Sequence, residues 1–209
     1  MLKLGLTGGI ASGKSAVGVM FVQLGAHLVQ ADAIAHWLME PGNPVYEEVV
    51  RRFGSEMVNP DGRINRSRLA EVAFGKPGGA PPRVKELNAI VHPAVIAHEN
   101  QWMVEIAQRD PDAIAIVEAA LILESGVASR FDRLAVVTCH PEQRIRRYAQ
   151  RMGISEDAAR AEVTRRMAVQ IPDEEKIQAA DFVIDNSGPL DATKRQVQQI
   201  YSALRSGNF

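Results

Sequence analysis

Eight residues near the start of the chain constrain its fold more than any others. Gly8-Gly9-Ile10-Ala11-Ser12-Gly13-Lys14-Ser15 follows the spacing G-x-x-x-x-G-K-[ST]. The stretch before it, Leu2 to Thr7, is short, apolar and reads as a strand. After it, Val17, Met20, Phe21 and Leu24 recur at helical spacing, and Gly25 is placed to stop the helix. A glycine-rich turn between a strand and a helix lets successive backbone N–H groups point at phosphate oxygens. The helix N-terminus adds roughly half a positive charge behind them. Gly9, Ile10, Ala11, Ser12, Gly13, Lys14, Ser15 and Ala16 are therefore the expected binding residues for ATP or GTP. Lys14 is expected to reach the β- and γ-phosphates, and the Ser15 hydroxyl to ligate Mg²⁺. The plainer alternative is a glycine-rich turn with an incidental Lys-Ser pair. The pattern says nothing of what receives the phosphate.

The rest of the chain repeats the strand and helix rhythm. His27 to Gln30, Ile114 to Glu118, Leu134 to Thr138 and Phe182 to Ile184 read as further strands, mostly apolar throughout rather than alternating. Strands buried on both faces look like this. The expectation is an α/β fold of the P-loop NTPase kind, a parallel sheet of about five strands flanked by helices. Residues 43–112 lack a convincing central strand and read as a helical insertion. Within it Gly75-Lys76-Pro77-Gly78-Gly79-Ala80-Pro81-Pro82 is a turn-rich loop. Residues 140–172 form a second break, with arginines at 144, 146, 147, 151, 160, 165 and 166 against acids at 142, 156, 157 and 162. The chain thus reads as one domain: a core of about 1–42, 113–139 and 180–209, the insertion, and a helical segment at about 140–172.

Composition narrows the function. The chain has 209 residues, 46% of them hydrophobic, enough to bury a core, and a formal net charge of -1. That balance gives no global attraction to nucleic acid or to an anionic membrane surface. A single cysteine, Cys139, excludes an intramolecular disulfide and fits a reducing compartment. The N-terminus lacks the apolar core of a signal peptide, and no apolar run approaches the roughly 20 residues of a membrane span. The cytoplasm is the expected location.

All strand C-termini of a parallel sheet lie on one edge, where ligands bind. Asp32 follows the second strand directly. A carboxylate there can accept a proton from an attacking hydroxyl; the alternative is a loop aspartate or helix cap. Glu118, ending the third strand, can hold Mg²⁺ through water or be a surface acid. Arg147 and Arg151 are four apart, so one helix face carries both guanidiniums. The alternative for an arginine-rich helix is a solvated face with local ion pairs, which suits Arg144, Arg146 and Arg160. His92 precedes Pro93 at an apparent helix boundary. Glu124 can face a substrate or cap a loop. Asn186 and Gly188 follow the last strand, in a sequence typical of turns.

Taken together, these residues resemble the dephospho-coenzyme A kinase family. The resemblance runs through Leu6 to Ser15, Gln30-Ala31-Asp32, Leu87 to Pro93, Glu118 to Glu124, Gln170-Ile171-Pro172 with Glu175-Lys176, and Ala180 to Gly188, in the family's order. It implies phosphoryl transfer from Mg-ATP to the ribose 3′-hydroxyl of dephospho-CoA, the final step of CoA biosynthesis, with a helical substrate-binding region and a mobile lid. It implies Asp32 as general base, lid arginines Arg147 and Arg151 near the phosphates, and Asn186 and Gly188 near the adenine. It also implies His36, His92 and Glu124 on the substrate side. A monomer or weak homo-oligomer is expected. This chain departs from the family at Gln30, where an aspartate is common, at His36, where arginine is usual, and at Ala120, where proline is common. Other readings are a P-loop kinase for a nucleoside monophosphate or sugar acid, a GTPase switch, and a nucleic-acid-dependent ATPase. No asparagine is followed by lysine, so a guanine-specific Asn-Lys-x-Asp motif is missing. The near-neutral charge gives the last reading no support.

Overall fold

Leu4 to Gly8 are buried without interruption, and Ile114–Glu118 are buried at every position. Strands of this kind need cover on both faces, and a parallel sheet with helices on each side supplies it. The structure, a computed structural model, describes residues 1–75, 81–168 and 170–207. Most of the turn-rich 75–82 segment therefore lies outside the described residues.

The sheet contains β1 (Leu2–Gly8), β2 (His27–Gln30), β3 (Ile114–Glu118), β4 (Arg133–Thr138) and β5 (Phe182–Asp185). They lie in the order β2-β3-β1-β4-β5, and every neighbouring pair is parallel. The α/β expectation is met, including each of the strands read from the sequence. From β1 the chain goes to one side of the sheet for β2 and β3, then crosses to the other side for β4 and β5. The C-terminal end of β1 is consequently a topological switch point, where such sheets open a crevice.

Helix α1 (Lys14–Gln23) starts there and buries Val17, Met20 and Phe21. These pack with β-strand residues Leu4, Leu6, Ile116, Ala135 and Ile184, and with Val197, Ile200 and Leu204 of the C-terminal helix α9 (Leu190–Ser206). Fully burying a side chain of this size contributes about 1.5–3 kcal/mol. Gly25, at φ 105°, ends the α1 turn, its N–H bonding to Val22 O at 2.9 Å.

The chain divides into two compact units, Met1–Gln30 with Glu105–Phe209, and Ala31–Val104. The second contains α2 (Ala31–Leu38), α3 (Pro44–Phe53), α4 (Arg66–Phe74) and most of α5 (Val84–Arg109). Asn65 caps α4 by accepting from Arg68 N at 3.0 Å. Among the described residues this unit has an isolated antiparallel bridge, Val58 to Ile64, and no strand of the main sheet. One expectation is corrected here: Pro93 marks no helix boundary, because α5 runs through it. The proline removes one helical hydrogen bond, but Val91 and Val95 on either side are buried, and packing outweighs local propensity.

In the first unit, α6 (Pro141–Met152) and α7 (Glu156–Met167) form a helical pair, followed by α8 (Asp173–Gln178). Ile145, Tyr148 and Ala149 of α6 bury against Ala159 and Val163 of α7, together with Ile10 from the glycine-rich loop. Ser155 caps α7, accepting from Ala158 N at 3.3 Å.

Candidate active site

The loop between β1 and α1 is shaped by backbone that side chains would spoil. Gly13 has φ 99°, and a side chain there would overlap the Asn186 amide. Ala11, with φ 54°, is the non-glycine residue in the left-handed region among the described residues. Such local strain concentrates at functional sites. The turn closes through Ser12 N to Gly9 O at 3.2 Å. Lys14 Nζ folds back over it, donating to Gly8 O at 2.9 Å and Gly9 O at 3.2 Å. The first-turn amides of α1, including those of Ser15 and Ala16, have no intrahelical acceptor by construction. A concave loop of amides, a lysine over its rim and glycines where a Cβ would intrude fit a bound polyphosphate.

Beside the loop, Ser15 Oγ donates to Glu118 Oε1 at 2.7 Å, and Gln30 Nε2 donates to Glu118 Oε2 at 2.7 Å. Sheet register makes this meeting possible: Glu118 pairs with Leu6 on one side and Gln30 on the other. Glu118 is buried, whereas Ser15 is exposed. An exposed hydroxyl held by a carboxylate is an oxygen donor set of the kind hard cations use. Among the described residues no three His, Cys, Asp or Glu side chains converge. Mg²⁺ needs no such cage, because it keeps waters and takes phosphate oxygens as ligands. The residues therefore fit Mg²⁺ held jointly with a nucleotide.

On the far side of the loop, Arg147 of α6 donates to Ser12 O at 3.3 Å and Asn186 O at 2.9 Å. The Asn186 amide also donates to Ser12 O at 2.9 Å, and its carbonyl accepts from Thr193 Oγ1 at 3.0 Å. Arg147 and Asn186 thus grip the loop from two different elements. Arg151 stands 5.3 Å over the Tyr148 ring. Gly188 is exposed, beyond Ser187, whose carbonyl accepts from Gln143 Nε2 at 2.7 Å. Glu124 Oε1 pairs with the buried Lys176 Nζ at 2.9 Å and accepts from Ile171 N at 3.2 Å. That is the loop-tying alternative for Glu124.

Arg144 departs from expectation. Read as part of a solvated arginine face, it is instead buried, with its side chain 1% exposed, and paired with Asp173. Arg160 does behave as a surface residue, pairing with Glu142 at 2.7 Å. The signal for Arg144 was present in the helical spacing. Position 144 falls on the face carrying Ile145, Tyr148 and Ala149, four residues before Tyr148. Its partner Asp173, and Gln30 as a ligand of Glu118, were not identified from the sequence either.

Asp32, His36 and His92 belong to the second unit. Asp32 is exposed in the first turn of α2, and His36 is exposed one turn later on the same face. His92 is half-buried in α5. Trp37 and His98 contact each other, ring centroids 5.2 Å apart.

Known proteins resemble the chain along most of its length. The dephospho-CoA kinase family model matches residues 2–192. A dephospho-CoA kinase of Leifsonia xyli is 39% identical over 98% of this chain and 100% of its own length. One from Symbiobacterium thermophilum is 41% identical over 98% of this chain and 82% of its own. The crystal structure of TT1252 from Thermus thermophilus is 32% identical, with a TM-score of 0.77 and 97% of both chains covered. A dephospho-CoA kinase structure from Campylobacter jejuni, at 24% identity and TM-score 0.68, covers 99% of this chain and 98% of its own and supports the fold.

Proposed function

The chain belongs to the dephospho-CoA kinase family, and we propose that it transfers the γ-phosphoryl group of ATP to the ribose 3′-hydroxyl of dephospho-CoA. The products are coenzyme A and ADP, and the step is the last in CoA biosynthesis. The observation that carries this reading is the Ser15–Glu118 pair beside an intact phosphate loop, in a chain matched along most of its length by that family.

In the transfer, a bond forms between the ribose 3′-oxygen and the γ-phosphorus, and the bond from that phosphorus to the β,γ-bridging oxygen breaks. The amides of the loop from Gly9 to Ala16 hold the phosphates. Lys14 exchanges its contacts with Gly8 O and Gly9 O for phosphate oxygens. Ser15 Oγ would hold Mg²⁺, and Glu118, which holds the hydroxyl, would support it through water. The ion would supply neutralisation of phosphate charge. Arg147 and Arg151 meet the charge that spreads over the transferring group. Asn186 and Gly188 border the adenine. Asp32 takes the proton of the attacking hydroxyl, and His36 and His92 hold the acceptor. Glu124 secures the loop that precedes α8. In this reading the molecule is one kinase domain, with a substrate-binding insertion at about 43–112 and a lid at about 140–172 that excludes water. It works in the cytoplasm as a monomer or weak homo-oligomer. Among the described residues no helix is long and apolar enough to cross a membrane.

The test is ADP release from Mg-ATP with dephospho-CoA, beside a panel of nucleoside monophosphates and sugar acids, the product phosphate being located by NMR. Stimulation by dephospho-CoA alone, with phosphate at the ribose 3′ position, is expected. Turnover of a different acceptor would overturn the substrate and keep the kinase.

A further inference from the structure

The pair formed by buried Arg144 and half-buried Asp173 has no part in the phosphate contacts described above, yet it touches the phosphate loop. Arg144 lies near the start of α6, and Asp173 is the first residue of α8. The Arg144 guanidinium donates to Asp173 Oδ2 and, through Nε, to Cys139 O at 3.3 Å, and its Nη1 lies 3.9 Å from Met167 Sδ. Cys139 follows the end of β4, and Met167 ends α7. Thus one guanidinium gathers the sheet edge, both helices of the pair and α8. It also packs on Gly9. A Cβ at position 9 would overlap Nη1, would lie 3.1 Å from the guanidinium carbon and would come within 3.4 Å of Asp173 Oδ1.

We infer that Arg144 and Asp173 are positioning residues for nucleotide binding: they close the base of the 145–172 excursion and hold Gly9 in the shape that receives phosphate. A buried ion pair replaced by good packing gives little net stability. Its use here is geometric. Gly9 is the residue whose carbonyl engages Lys14 at 3.2 Å, and a loop that must present several amides to one ligand loses affinity if a single peptide tilts. Ordering the loop beforehand removes that cost from binding. Because the same guanidinium sits at the root of α6, the helical pair and the loop share one anchor. This inference rests on the reading of the glycine-rich loop as the nucleotide site; it uses neither the acceptor assignment nor the lid.

The experiment measures equilibrium binding of a fluorescent ATP analogue with Mg²⁺ and no acceptor, so that a wrong acceptor assignment leaves the result intact. Arg144→Gln and Asp173→Asn are each expected to weaken binding about tenfold, a 1.4 kcal/mol change. The double variant should be no weaker than either single one, because both act through the same contact. Steady-state assays should show a raised KM for ATP and an unchanged KM for the acceptor. Gly9→Ala should abolish binding alone and recover part of it when combined with Arg144→Gln, which vacates the space a Cβ needs. A purely structural pair would instead lower the melting temperature, leave affinity within twofold of wild type and give no such recovery. That result overturns the inference. If Arg144→Gln does not fold, Asp173→Asn, whose side chain is 26% exposed, carries the same test.

Discussion

The Ser15 hydroxyl donates to Glu118 Oε1 across 2.7 Å, joining the first turn of α1 to the last residue of β3. The two residues are 103 positions apart. Their meeting is the proposed place for a cation beside the phosphate loop. The carboxylate is also held through its other oxygen, by Gln30.

Glu118→Gln should therefore raise the Mg²⁺ concentration required for half-maximal turnover. Outer ligands of metal sites are typically worth about 10- to 100-fold in affinity. A Mg²⁺ titration at saturating ATP measures this. An unchanged midpoint would return Glu118 to a structural role.

Lys14→Ala should lose turnover by about 10²- to 10³-fold, the range for deleting one donor to developing charge. Its ammonium donates to two loop carbonyls, and the residue is not among the apolar core side chains, so circular dichroism and melting temperature should stay close to wild type. Loss of fold together with activity would argue that the lysine is part of the scaffold.

Asp32→Asn should lower turnover by about 10²- to 10⁴-fold, the usual contribution of a general base. Affinity for ATP should hardly change, since the residue belongs to α2 and outside the loop. Single-turnover rates with pre-bound ATP separate the two quantities. Equal loss of ATP affinity would point to a capping or packing role.

Glu86 supplies a pH-dependent test of the second unit. The Arg83 side chain, which donates to it at 2.9 Å and itself lies 4.4 Å over the Phe53 ring, holds the Glu86 carboxyl down to about 2, with Arg52 adding to the effect. An unfolded glutamate takes its proton near about 4.3. The pairing thus stabilises the fold fully above that value and loses its effect as pH falls from there toward 2. Wild type and Glu86→Gln should differ in melting temperature at neutral pH and converge across that acid window. The pair is partly solvated, so added salt should shrink the difference at neutral pH. A gap that stays constant with pH would exclude the ionised Glu86 as its source.

Much of this protein was legible because the informative signals are local. The five strands are runs of consecutive apolar residues, and burial on both faces leaves such runs little else to become. The glycine-rich loop needs only neighbouring residues, so its chemistry is written in one stretch. Arg144 was misread for the opposite reason. In a segment crowded with arginines, what separates a buried guanidinium from a solvated one is a partner, and Asp173 lies beyond the whole helical pair. Pro93 was misread because the packing of Val91 and Val95 carries α5 through a residue that would break an isolated helix.

By itself, then, the order of amino acids determined the alternation of strands and helices and the presence of a phosphate loop, since both depend on spacings within a turn or a strand. Only the tertiary structure decided which distant groups meet: Ser15 with Glu118, Arg147 with Asn186, Arg144 with Asp173. Those meetings depend on strand order and register, which arise when crossover helices bury their apolar faces on the sheet, and no local stretch of sequence contains them.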